Sequence, residues 1–107
     1  MSPTIEKVVT ARAIQLRDES TNYFDAVGLI TRELDEVEKG KQNPLYHLAG
    51  SIAGVTTAGF VAEVGSLIGA IIGFITQMLA GKNQKEGRLQ ELRKEVEPIV
   101  SKIYEEG

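Results

Sequence analysis

The chain has 107 residues, no cysteine, 42% hydrophobic and 25% charged residues, and a net charge of −3. That length accommodates one domain, 1–107, with a single modest core. The absence of cysteine excludes disulfides and thiolate metal sites, and the net negative charge offers no basic field for nucleic acid.

Charge is unevenly distributed. Residues 1–41 carry six Lys/Arg and eight Asp/Glu, and residues 82–107 carry six of each. Between Lys41 and Lys82 the sole formal charge is Glu63. The N-terminus, Met1 to Lys7, lacks the charged-then-apolar order of a signal peptide, so a membrane-associated or cytoplasmic location is expected rather than secretion.

The pattern predicts an all-α chain, a helical hairpin or bundle of three to four helices. Residues 3–39 read as one long amphipathic helix. Ser2 is placed to cap it, and Pro3 suits its first position. Val9, Ala13, Leu16, Ser20, Tyr23, Val27, Ile30, Leu34 and Val37 alternate spacings of four and three without a break. This is a heptad seam. The opposite face carries Arg12, Arg17, Asp18, Glu19, Arg32, Glu33, Asp35 and Glu36. Gly40 is the stop signal, and Gly40 to Pro44 reads as a turn with Asn43 capping the next helix.

Residues 45–81 read as a glycine-rich apolar helix or a helical hairpin. Glycines fall at helical spacing: Gly50 and Gly54, then Gly65, Gly69 and Gly73. Such a stripe lets two helix backbones approach closely. Each interior glycine costs about 1 kcal/mol relative to alanine, and the seven in residues 50–81 need a packing reason. Ala80 to Gln84 reads as a second turn. Residues 85–105 form a last amphipathic helix, with Leu89, Leu92, Val96, Ile99 and Ile103 on one face and a kink expected near Pro98.

The sequence carries little that resembles a catalytic site. His47 is the lone histidine and has no acidic partner nearby in the chain, which makes it a poor general base. Glu33, Asp35, Glu36 and Glu38 lie on a helix and lack the glycine-bent spacing of a calcium loop, so they read as a solvated face. No phosphate-binding loop and no Glu-x-x-His di-iron pair is present. The expectation is a non-enzymatic protein with no cofactor, no metal, no small-molecule substrate and no nucleic-acid partner.

The pattern supports two functional readings. In the first, Leu48–Ala62 and Val64–Gly81 are two apolar arms that enter a bilayer with Glu63 at their tip, where it serves as an exposed or pH-sensitive carboxylate. Lys39, Lys41, Lys82 and Lys85 would flank the open end. Arms of that length reach about 22–27 Å, short of the roughly 30 Å hydrocarbon core. In layout alone, polar helices around one apolar hairpin resemble the heads of helical pore-forming proteins. In the second, residues 45–81 are one helix, apolar all round, which neighbours from a single chain cannot cover. A homo-oligomer or filament would then cover the rest. Both readings make the protein its own partner through the glycine positions, and the first adds the lipid bilayer.

Overall fold

The computed structural model describes residues 3–41, 43–44, 47–48, 57–78 and 87–106, with the backbone alone at residues 57–64 and 106. Its helices are α1 (Pro3–Asp18), α2 (Tyr23–Glu38), α3 (Thr57–Met78) and α4 (Arg88–Glu106). The all-α bundle expected from the sequence is therefore present, with four helices among the described residues. The Ser2 cap, Gly50, Gly54 and the Ala80–Gln84 turn lie outside those residues.

One apolar stripe from each helix builds the core. It comprises Ile5, Val8, Val9, Ala13 and Leu16 of α1, Ala26, Val27, Ile30, Leu34 and Val37 of α2, Leu67, Ile71 and Ile75 of α3, and Leu92, Val96, Val100 and Ile103 of α4. Leu48 joins them, fully buried. The α1 and α2 helices touch each other and each touches both α3 and α4, whereas α3 and α4 have no packing of comparable extent with each other. The radius of gyration is 13.4 Å, close to the roughly 13 Å of a compact domain this size.

The long helix expected over 3–39 is two helices that fold back on each other. α1 ends in a Schellman motif: Thr21 N–H donates to the Leu16 carbonyl (2.9 Å) and Ser20 N–H to the Arg17 carbonyl (3.0 Å), with Ser20 left-handed at φ 67°. Asn22 then caps α2. Its side chain accepts from the Asp25 N–H at 2.8 Å and donates to the Asp25 carboxylate at 2.9 Å. The break is held from outside as well. Tyr104 of α4 donates to the Thr21 carbonyl (2.6 Å) and Arg17 to the Ile103 carbonyl (3.1 Å). Ser20 and Tyr23, seam positions in the sequence, are exposed as a result.

The same motif ends α2, with Lys41 N–H bonded to the Glu36 carbonyl and Gly40 N–H to that of Val37. Here the left-handed position is Gly40, at φ 94°. A serine in that conformation costs about 1 kcal/mol or more; a glycine costs nothing sterically.

The tip expected at Glu63 is also corrected. α3 runs without interruption from Thr57 to Met78, so residue 63 lies within a helix rather than at a turn between two arms; its side chain lies outside the described residues. Pro98 sits inside α4, which continues through it as one helix. Pro98 and Lys94 both lie on the exposed face, where water can reach the Lys94 carbonyl that Pro98 leaves without its helical donor. Val100 rather than Leu89 completes the buried stripe of α4, and Leu89 is 48% exposed.

Gly40→Ala should lower stability by about 1 kcal/mol through backbone strain alone, because a Cβ there meets nothing within 4 Å. A denaturant midpoint unchanged by the substitution would remove the αL requirement.

Candidate functional site

The glycine positions are on the outside. In α3, Leu67, Ile71 and Ile75 turn inward, which places Gly65, Gly69 and Gly73 on the exposed face with Ser66, Ile72, Thr76 and Gln77. A Cβ built on any of these glycines meets no atom within 4 Å. None of them serves close packing among the described residues. Ile72, in the middle of the stripe, is 41% exposed. The described part of this face carries no formal charge.

Charge is instead concentrated beneath α1 and α2, where the sequence suggested a solvated face. Glu33 and Asp35 are buried. Arg12 grips Glu33 with two bonds, Nε to Oε1 at 3.0 Å and Nη2 to Oε2 at 3.1 Å, and its Nη1 donates to Gln15 at 2.7 Å. Such a fork-to-carboxylate pair is the strong form of charge-assisted hydrogen bond. His47 Nδ1 stands 3.1 Å from Glu33 Oε2, and its side chain is 62% exposed. The sequence separation of 14 residues between His47 and Glu33 hid this pairing. A signal for the Arg12–Glu33 pair does exist: both residues sit immediately before seam positions, Ala13 and Leu34.

A second network joins α2 to α4. Arg88 binds Asp35 at 2.5 Å and also Glu38, and Lys39 reaches Asp35 at 3.0 Å. Burial raises the pKa of Asp35, but the hydrogen bonds and charges of Arg88 and Lys39 outweigh it and hold the carboxyl below its ordinary value. Burial pushes the Tyr104 hydroxyl up, against the opposing charge of Arg17. No buried side-chain nitrogen or oxygen among the described residues lacks a hydrogen-bond partner.

Two open grooves flank α2. One, of about 700 Å³, is lined by Leu29, Arg32, Glu33, Glu36, Lys41, Asn43, Pro44 and His47, with no hydroxyl or thiol nucleophile among those residues. The other, of about 830 Å³, runs between α2 and α4 past Phe24, Gly28, Leu89 and Arg93. Phe24 is 68% exposed and carries the Arg93 guanidinium 4.7 Å above its ring. No group of three His, Asp or Glu side chains among the described residues is placed to hold a metal ion. Nor is any helix, within those residues, long and apolar enough to cross a membrane. No family model, curated protein or solved structure matches the chain.

Arg12→Ala should cost about 3–5 kcal/mol, because it strands the buried Glu33 carboxylate. His47→Ala, at an exposed partner of the same carboxylate, should cost only a few tenths. Equal losses in urea titrations would contradict this ranking.

Because the folded Asp35 carboxyl titrates below its unfolded value near 3.9, its ion pairs stabilise the protein fully at pH values above that. The stabilisation drains away as pH falls through the folded pKa. Stability of Asp35→Asn should therefore fall less steeply than wild type below about pH 4, which melting temperatures across pH 2–5 would test.

Proposed function

We propose that this is a non-enzymatic, self-associating helical protein, in which the outward glycine face of α3 packs against the same face of a second copy. One observation carries the reading. Gly65, Gly69 and Gly73 are exposed, and a Cβ added at any of them meets nothing within 4 Å among the described residues. Interior glycines weaken a helix, and close approach of another backbone is the gain that offsets them.

Packing on a lipid surface is the second reading, supported by the uncharged exposed face around Ile72. It asks more of the fold. Burying α3 in a bilayer would withdraw Leu67, Ile71 and Ile75 from the core they share with α1 and α2. Contact between copies leaves that core intact and is the reading favoured here.

Substitution at Gly69 separates the two effects. Gly69→Ala should raise the stability of the isolated chain by up to about 1 kcal/mol, because its Cβ meets nothing. Gly69→Leu should sharply reduce association in light scattering while leaving the circular dichroism spectrum helical. A wild-type chain that stays monomeric at high micromolar concentration would overturn self-association. A chain that floats with liposomes but is monomeric without them would favour lipid.

A further inference from the structure

We propose that α1 is an exchangeable arm, and that the Glu19–Asn22 turn can straighten so that α1 docks on the α2, α3 and α4 core of a second copy. This exchange is independent of the glycine face.

Two observations point to it. The heptad seam passes through the turn in unbroken register, from Leu16 by way of Ser20 and Tyr23 to Val27. The turn residues, Glu19, Ser20, Thr21 and Asn22, include no proline or glycine, so nothing in them forbids a continuous helix of about 54 Å over residues 3–38. Against that pattern, the folded chain holds Ser20 left-handed at φ 67°. The same motif at the end of α2 uses Gly40. A short connection under strain between two elements that could be one is the condition that favours exchange between copies.

Straightening releases Ser20 to helical geometry and adds helical hydrogen bonds across the turn. The contacts of Ile5, Val8, Val9, Ala13 and Leu16 are remade on the partner, as is the Arg12–Glu33 pair, because the exchanged arm meets an identical surface. What is lost is local: the Asn22 cap on Asp25 and the hydrogen bond from Tyr104 to the Thr21 carbonyl. Tyr104 therefore acts as the strap that keeps the turn bent. Its hydroxyl reaches the backbone of the turn itself, and its ring meets Tyr23 edge-on with centroids 6.0 Å apart.

The buried Arg12–Glu33 pair makes the exchange measurable. All variants carry Gly69→Leu, so that the glycine face does not contribute. Arg12→Glu and Glu33→Arg each set like charges against each other within their own chain. When the two chains are co-refolded, an exchanged heterodimer pairs opposite charges at both contacts. The expected result is a 1:1 heterodimer in native mass spectrometry, melting near a control that carries both substitutions in one chain. Two chains that stay separate and unstable, beside a folded control, would overturn the proposal. Should the control itself not fold, the otherwise unaltered Gly69→Leu chain decides it. Relative to that chain, Tyr104→Phe should raise the fraction of dimer formed on slow concentration. Ser20→Gly should lower the association constant roughly twenty-five-fold, about fivefold for each of the two left-handed residues that an exchanged dimer relieves. Equal dimer fractions in all three would overturn the exchange.

Discussion

Charge placed beside an apolar seam is the constraint on which the rest of this structure depends. When α1 folds back on α2, the residues flanking the seam go under with it, and Arg12 and Glu33 become buried together. A carboxylate in that position is tolerated only with its partner present. Only a narrow set of placements of α1 on α2 satisfies the two-point grip of guanidinium on carboxylate. The apolar residues around it, from Val9 to Leu34, supply area without orientation; the ion pair supplies the orientation.

The second network does the same for α4. Arg88 stands in the first turn of α4 and reaches Asp35 and Glu38 near the end of α2. Cations are favoured near the C-terminus of a helix, so Arg88 and Lys39 serve both the carboxylates and the end of α2. At the opposite end of α4, Arg17 and Tyr104 connect to backbone carbonyls at Ile103 and Thr21. α4 is thus tied at both ends to the α1–α2 pair. α3 has no such ties among the described residues: it contributes Leu67, Ile71 and Ile75 to the core and leaves its glycine face outward. Among the described residues, then, the helix joined to the rest by apolar contact is also the one with an exposed, uncharged face.

These two features bear on function differently. The glycine face is a surface that the described residues leave uncovered, and its reading as a contact with another copy rests on helix energetics. The Ser20 turn is a strained conformation that the chain maintains through Tyr104 and Asn22. One concerns what the folded chain can meet, the other how the folded chain can rearrange. Neither calls on His47, whose exposed ring adds a peripheral hydrogen bond to a carboxylate already gripped by Arg12.

Helix as the only regular element among the described residues was legible in the sequence, because apolar residues recur at spacings of three and four and never alternate over a useful length. Most of the core was legible for the same reason: Val9, Ala13, Leu16, Val27, Ile30, Leu34, Leu92 and Val96 fall on the predicted stripes and are buried. The outward set of Gly65, Gly69 and Gly73 was legible as a stripe, but not its side, since periodicity fixes which residues share a face and not what the face meets. The break at Ser20 was illegible to periodicity because the seam continues through it; Asn22 followed by Asp25 is a local capping signal, and only the fold adds the bonds of Tyr104 to Thr21 and of Arg17 to Ile103 that tie the break to α4. The burial of Glu33 and Asp35 was illegible too. A charged side chain is exposed by default, and only a partner brought from far along the chain, Arg12 or Arg88, offsets the cost of taking it out of water.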